Sequence, residues 1–292
     1  MTALIEKLIE DAKGAPKRVA LPECEADNTL LAARRVLDEG VGIPVLISPR
    51  GVIEETAARA GVSLDGMEIV DSADESAADA LAERYMAGGA RLVSAKGARR
   101  KIKDPMHYAM MMEELGDMDC TFCGHTNTTG DVLMAAQTII GLQEGVDVPS
   151  ILALVETPGF EGPEGDVVCF SDCGLNPEPS ASELASIAIA AADGARSLMG
   201  WEPRVGFLSF STTGSGVGES VDRIEEALRL VHERRPDISA DGEFQLDAAI
   251  DPVVAAKKVK HESEVAGRAN VFIFPDLNSA NIAVKLIQRF AH

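Results

Sequence analysis

The 292 residues are 46% hydrophobic and carry 47 Asp and Glu against 27 Lys and Arg, a formal net charge of −20. Such acidity disfavours nucleic acid and anionic membranes as partners, and an anionic ligand would need local cations or helix N-termini to offset it. No apolar run approaches the roughly 20 residues of a membrane span, and the N-terminal segment is amphipathic rather than a signal peptide, so we expect a cytoplasmic protein.

Short apolar segments alternate with amphipathic ones along the whole chain, which is typical of βαβ units and of a parallel sheet with helices on both faces. The methionine run Met110–Met112 fits the apolar face of a helix, and a domain boundary is expected near Gly145–Val148. In the first half we expect helices over 2–13, 27–39, 54–60, 75–87 and within 98–115, and strands over 18–22, 43–47, 68–70 and 120–123. In the second half we expect strands over 150–156, 166–170, 205–208 and 270–274, and helices over 180–199, 219–233, 252–258 and 278–290.

One strand–loop–helix unit, 203–218, contains a dense set of hydroxyl and glycine residues. A buried strand ends there, and a helix follows from about Glu219. Ligands of open α/β sheets bind at the carboxyl ends of strands, and helix N-termini attract anions, so one interpretation is a cradle for phosphate. The alternative is an ordinary turn with a Ser or Thr cap, since neither GxxxxGK[ST] nor GxGxxG is present. The candidate contacts are Ser209, Ser211, Thr212, Thr213, Gly214 and Ser215.

A second polar loop, 124–131, follows the expected strand over 120–123. Asn127, Thr128 and Thr129 offer caps and anion-facing groups, and His125 is a candidate base for a thiol. Strand-end loops gather at one edge of a parallel sheet, so we expect 127–129 and 211–214 to face one another across a single pocket.

The five cysteines allow two interpretations. Cys120 and Cys123, with Cys169 and Cys173, have the spacing of two halves of a zinc site. Cys169, however, lies in an apolar run, which is typical of a small core residue. Buried free thiols are also usual in a reducing compartment. We expect no bound zinc and no disulfide between Cys120 and Cys123.

Several segments together resemble the phosphate acetyl/butyryltransferase family. The segment 208–215, LSFSTTGS, is similar to the family's LSFSTKGS, and 241–249, DGEFQLDAA, is similar to DGE-L/F-Q-F-DAA. The other matching segments are 104–112 with Gly116 and Asp117, 127–129, 265–277, and Asn281, Ile282 and Lys285.

The resemblance implies an α/β fold with two α/β/α domains, mainly parallel sheets and an interdomain cleft, similar to isopropylmalate dehydrogenase. The domains would span 1–145 and 146–292, with the last helix, 278–290, leading back towards the first. The implied activity is transfer of an acetyl or other short acyl group between coenzyme A and inorganic phosphate. The implied substrates are acyl-CoA and acyl phosphate, without metal or bound cofactor, in a homodimer.

The chain also departs from the family pattern. The family's catalytic Ser, Arg and Asp belong to a C-terminal segment that we expect to be absent after Arg289. Asn28, Tyr85 and Met134 align with family arginines, with Arg84 as an alternative to Tyr85, and Thr213 aligns with a family lysine; Thr and Asn do not replace such cations.

Two explanations stay open. The chain is an incomplete enzyme, or it is a divergent member without transferase activity that acts as an acyl-CoA-binding, anion-binding or regulatory subunit. Either way we expect weak or no turnover by this chain alone. The catalytic residues are unknown from the sequence, and His125 and Lys285 are the candidates that it offers.

Overall fold

The computed structural model describes residues 2–89 and 92–290. The chain divides into two compact units, one up to Gly141 and one from Leu142 onward. Each unit contains its own sheet and its own hydrophobic core. Whether the two units are folding domains with the predicted bounds 1–145 and 146–292 stays a prediction. None of the helices in these ranges combines the length and apolar character that crossing a bilayer requires.

The first unit is a sheet with helices on both faces. Its strands are β1 (Lys17–Leu21), β2 (Gly42–Ser48), β3 (Glu68–Asp71) and β4 (Cys120–Thr121). Its helices are α1 (Ala3–Gly14), α2 (Asp27–Glu39), α3 (Arg50–Ala60), α4 (Glu75–Ala87), α5 (Ala95–Lys101), α6 (Pro105–Glu114) and α7 (Thr129–Ile139). The strand order is β3-β2-β1-β4, and all neighbours are parallel.

Alternation along the buried strands produces the two faces of this sheet. In β2, Leu46 belongs to one core cluster with α2 and α3, whereas Val45 and Ile47 belong to a second cluster with α4, α6 and α7. Met110 and Met111 are buried in the second cluster, as the helix-face interpretation predicts. Side chains of a strand point alternately to opposite faces, so both faces of this sheet are covered.

The second unit has five strands in the order β5-β6-β9-β7-β8. The strands are β5 (Ala153–Glu156), β6 (Val167–Ser171), β7 (Arg204–Leu208), β8 (Ser239–Phe244) and β9 (Val271–Ile273), and only the β5–β6 pair is antiparallel among these neighbours. The helices are α8 (Ala181–Met199), α9 (Glu219–Arg234), α10 (Leu246–Ile250), α11 (Pro252–Lys258) and α12 (Leu277–Phe290).

The second sheet is also covered on both faces. Val271 and Ile273 of β9 pack in a cluster with α8 and α9, and Phe272 packs in another with α12. The predicted α/β fold with mainly parallel sheets is therefore confirmed in each unit. The start of α8 is also as predicted, because Ser180 and Glu183 form a reciprocal capping box.

Three predicted elements differ from the structure. The expected buried strand 120–123 is only two residues long, and Cys120 is exposed because β4 is an edge strand. The strand expected from residue 150 begins at Ala153. The helix expected from residue 54 begins at Arg50, because Pro49 takes the N-cap position and its carbonyl accepts from the first turn.

Candidate functional site

At the carboxyl edge of the first sheet, a loop of backbone N–H groups converges on a buried carboxylate. Glu23 follows β1 and is 3% exposed. Four consecutive backbone N–H groups donate to its oxygens at 2.8 to 3.1 Å, and an amide side chain adds a bond of 2.8 Å; the donors are Gly124, His125, Thr126 and Asn127, the last through both N and Nδ2. β1 lies between β2 and β4, so the chain changes direction across the sheet here, which is where open α/β sheets bind ligands.

The carboxylate of Glu23 is strongly acidic. Burial by itself raises the pKa of a carboxyl group, because it removes water from the charge. In Glu23 the hydrogen bonds from Asn127, His125 and Gly124 outweigh burial and lower the pKa from 4.5 to about 2. The N–H groups that the sequence suggested for an external anion therefore bind an internal one.

The predicted residues of this loop fall into two groups. Asn127 donates its backbone and side-chain N–H groups to Glu23, and Thr128 caps α7 by accepting from the N–H of Asp131 at 3.2 Å. His125 and Thr129 are exposed, and their side chains have no hydrogen-bond partner within the described ranges. His125 and Thr129 are thus the loop side chains that are available to a ligand.

In the second unit, a buried glutamate again anchors the polar loop. Ser211 is fully buried, and its Oγ donates to Glu243 Oε1 at 2.7 Å and accepts from the N–H of Gly216 at 2.8 Å. The N–H of Gly214 donates to the same Glu243 oxygen at 3.0 Å. Glu243 lies on β8 and is 2% exposed, so this contact joins the loop after β7 to the neighbouring strand.

The other predicted hydroxyls of this loop also have partners inside the unit. Thr212 Oγ1 accepts from the N–H of Gln245 at 2.9 Å, and Thr213 Oγ1 donates to the carbonyl of Lys258 at 2.9 Å. Ser215 Oγ accepts from the N–H of Thr212, and Ser209 Oγ accepts from the N–H of Ser211. The turn interpretation accounts for these contacts, and a role in ligand binding stays a prediction for Ser209, Ser211, Thr212, Thr213, Gly214 and Ser215.

One detail of the turn interpretation is wrong. The expected Ser or Thr cap of α9 is missing, because Gly218 occupies the N-cap position without any side-chain hydrogen bond. The hydroxyls are used within the loop instead of on the helix.

Beside this loop, the second unit has an apolar groove that sequence reasoning missed. Its volume is about 570 Å³, and it lies at the ends of β6, β7 and β9. Its polar edge includes Ser209, Ser220, Asp276 and Ser279. The lining comes from separate segments of the chain, so no contiguous motif marks it; the apolar residues include Phe170, Leu208, Leu246, Phe274, Leu286 and Ile287.

The positions that align with family cations are not equivalent in the structure. Tyr85 is fully buried and donates its hydroxyl to the carbonyl of Ile139 at 2.8 Å, so it is a core residue. Its neighbour Arg84 is exposed and forms a two-bond ion pair with Asp117 at 2.9 and 3.0 Å. Met134 is 67% exposed on α7. Of Tyr85 and Arg84, Arg84 is thus the one with an exposed side chain, and which of them aligns with the family arginine stays a prediction.

The remaining two positions and the candidate Lys285 lie on three different elements, α2, the loop after β7 and α12. Asn28 is exposed in the first turn of α2, and Thr213 adopts a left-handed conformation with φ of 46°. Lys285 is exposed on α12 and has no ion-pair partner within residues 2–89 and 92–290. Lys285 therefore carries an unneutralised charge in an acidic protein.

Burial makes two of the cysteine thiols less acidic than usual. Burial, with the nearby charge of Glu23, raises the pKa of Cys123 to about 11, and burial raises the pKa of Cys169 to about 12. Thiols react as thiolates, so these two groups are weak nucleophiles near neutral pH. In the described ranges, no three His, Cys, Asp or Glu side chains are grouped to hold a metal ion. The expected absence of zinc stays a prediction.

Two units with mainly parallel sheets and polar loops at their strand ends make this an α/β protein. Comparison of its sequence with known families identifies the family. The profile of the phosphate acetyl/butaryl transferase family matches residues 3–292. The chain belongs to that family.

Individual relatives agree. The chain is 39% identical to a phosphate acetyltransferase of Clostridium acetobutylicum over 289 residues, which cover 99% of this chain and 86% of the relative. Its structure is similar to the EutD phosphotransacetylase from Staphylococcus aureus, with a TM-score of 0.86 and 29% identity, covering 98% of this chain and 86% of the other. It is also similar to a phosphotransacetylase from Streptococcus pyogenes, with a TM-score of 0.85 and 30% identity, covering 99% of this chain and 87% of the other.

These coverages bear on one expectation from the sequence. The chain matches most of the length of each of these relatives, so they do not support the expectation that it lacks a catalytic C-terminal segment of the family.

Proposed function

We propose that this protein transfers an acetyl or other short acyl group between coenzyme A and inorganic phosphate. The observation that carries the proposal is family membership over nearly the whole chain, with 39% identity to a phosphate acetyltransferase. The reaction needs no redox partner: a phosphate oxygen attacks the thioester carbonyl, a C–O bond forms, the C–S bond breaks, and the CoA thiolate leaves. In reverse, the thiolate attacks acetyl phosphate and phosphate leaves.

The reverse direction needs a base for the CoA thiol, because the thiolate is the nucleophile. His125 is the candidate on the first unit's loop, since its side chain is exposed and its backbone is fixed by Glu23 at 2.8 Å. Positive charge near the phosphoryl oxygens lowers the barrier of acyl transfer, and Lys285 is the candidate on the second unit. Asn127, Thr128 and Thr129 on the first unit, and the loop Ser209–Ser215 on the second, are the further candidates for contact with substrate that the sequence offers.

The groove of the second unit suits the uncharged part of an acyl thioester. Ligand pockets are mostly apolar with a few polar groups at fixed places, and this groove has that composition. It shares Ser209 with the polar loop, so an acyl group or pantetheine arm in the groove would lie beside that loop. Ala283→Phe, which fills the groove from α12, should raise the KM for acetyl-CoA without changing the KM for phosphate.

The direct test is an assay of purified protein with acetyl-CoA and phosphate, followed by the loss of the thioester and the appearance of acetyl phosphate. Repeated turnover, with one acetyl phosphate formed for each thioester lost, supports the proposal. Binding of acetyl-CoA in a calorimeter without turnover supports the second candidate, a binding or regulatory member of the family. Asn28, Met134 and Thr213 at positions of family cations favour that candidate. If the natural chain shows no turnover, a gain of turnover in Met134→Arg with Thr213→Lys would trace the loss to those positions. The expectation of weak turnover by this chain alone is decided by the same assay.

A further inference from the structure

Glu23 is a buried acid to which the proposed chemistry gives no role. Its contacts all lie within the first unit, and their donors are about a hundred residues away in the sequence, at the end of β4. Burying a carboxylate that is only 3% exposed costs free energy unless hydrogen bonds compensate for the lost water, and here N–H groups alone supply those bonds. Such an arrangement fixes whatever donates to it.

We infer that Glu23 is a positioning residue, whose carboxylate fixes the backbone of 124–127 and so orients His125 and Thr129 for the proposed reaction. The inference rests on the proposed function for its catalytic half. Its structural half, the ordering of the loop, stands on the hydrogen bonds themselves.

The loop has little else to hold it. The N–H of Phe122 bonds to the carbonyl of Ala20, and Thr128 caps α7, but the four N–H groups of 124–127 have Glu23 as their acceptor. Thr126 adds one exposed side-chain bond to Glu25 at 2.7 Å. Removal of the Glu23 charge would therefore leave a run of donors unpaired at one place.

The site requires a carboxylate rather than a neutral amide. An ionised carboxyl group accepts at both oxygens and donates nothing, whereas Gln carries one accepting oxygen and one donating NH₂ group. In Glu23→Gln the NH₂ group would face N–H donors of the loop, although the side chain keeps its size. Glu23→Gln is thus an isosteric probe of the anchor.

The first experiment follows hydrogen–deuterium exchange in wild type, Glu23→Gln and the control Glu55→Gln, which removes an exposed charge from α3. We expect the amides of 124–127 to exchange about 10- to 100-fold faster in Glu23→Gln, as loss of bonds to a charged acceptor implies, with β2 unchanged. Glu55→Gln should match wild type. Unchanged exchange at 124–127 would overturn the inference whatever the activity.

The second experiment measures kinetics against a structural comparator in the same strand pair. Asp119→Asn loosens the other end of the same strand pair, where Asp119 accepts from the N–H of Arg18 at 2.8 Å, without touching the loop. We expect kcat of Glu23→Gln to fall about 100-fold, the scale for a displaced catalytic group, with a smaller change in KM. The limb of the pH–rate profile that belongs to an imidazole base should also be lost. Asp119→Asn should keep that limb.

Three outcomes are distinct. Faster exchange with an unaltered pH profile and a kcat equal to that of Asp119→Asn would make Glu23 merely structural and overturn the inference. Loss of turnover and of the imidazole limb supports it. If wild type has no transferase activity, the proposed function fails and the catalytic half of the inference with it, and exchange alone then decides whether Glu23 orders the loop.

Discussion

The two polar loops each surround a buried glutamate, but they use different groups to bind it. In the first unit, Glu23 is held by backbone N–H groups and one amide side chain. In the second, Glu243 is held by the hydroxyl of Ser211 and one N–H group, from Gly214. The first loop therefore keeps side chains such as His125 for a ligand, whereas the second uses its hydroxyls to hold itself together.

This difference shows that a hydroxyl-rich loop is not by itself a binding surface. In an acidic protein, the nearest anion for such a loop is one of its own carboxylates. Available groups are found by asking which side chains are left once the internal anions are satisfied. By that criterion His125 and Thr129 in the first loop are stronger candidates for ligand contacts than Ser211 and Thr212, which are buried in the second.

The largest expected effect is the loss of stability in Glu23→Gln. The pKa of Glu23 lies at about 2 against an ordinary 4.5, which corresponds to about 3 kcal/mol of stabilisation in the ionised form. Urea unfolding at neutral pH should show a free energy of unfolding lower by about that amount for the first unit. Glu243→Gln removes a carboxylate that accepts from fewer donors in the described part of the chain, so it should cost less. An equal or larger cost would contradict the comparison between the loops.

The same carboxylate predicts a pH dependence. Because the pKa of Glu23 is lower in the folded protein, its contribution is complete above about pH 4.5 and is lost as the pH falls towards 2. The difference in unfolding free energy between wild type and Glu23→Gln should therefore shrink over that window. Paired urea titrations from neutral pH down to about pH 2 measure it, and a constant difference would show that ionisation of Glu23 is not the source.

An intermediate effect is expected at the second loop. Ser211→Ala leaves Glu243 Oε1 and the N–H of Gly216 without their buried partner, at a cost of about 2 kcal/mol. Activity per folded molecule should be nearly unchanged, because the hydroxyl faces inward. Ser209→Ala, at the edge of the groove, is the matched variant. A larger loss of activity in Ser211→Ala than in Ser209→Ala would restore Ser211 as a contact with substrate.

The fold was predictable from the sequence because short continuous apolar runs between amphipathic segments indicate buried parallel strands, as in β2 and β9. The anchors were not. Glu23 and Glu243 look like ordinary acids among 47 in the sequence, and only the structure shows that each is buried against a distant or neighbouring loop. The groove was hidden for the same reason, since its walls come together only in three dimensions. Local signals such as the start of α8 near residue 180 were readable because they involve residues close together in the sequence.

The smallest effect concerns Thr128, where the sequence allows both a helix cap and a ligand contact. Its Oγ1 accepts from the N–H of Asp131 at 3.2 Å and donates to Asp131 Oδ2 at 2.7 Å, so the hydroxyl is already engaged on both sides. Thr128→Ala should therefore destabilise α7 by about 1 kcal/mol, the usual cost of a lost N-cap, and Thr128→Ser should restore it. Thr126→Ala is the control, because its bond to Glu25 is exposed and worth little. Thermal unfolding measures the cap, and the KM for phosphate tests the contact. An unchanged KM in Thr128→Ala assigns the hydroxyl to the helix, whereas a raised KM in Thr128→Ala that Thr128→Ser reverses would mean that substrate competes with Asp131 for it.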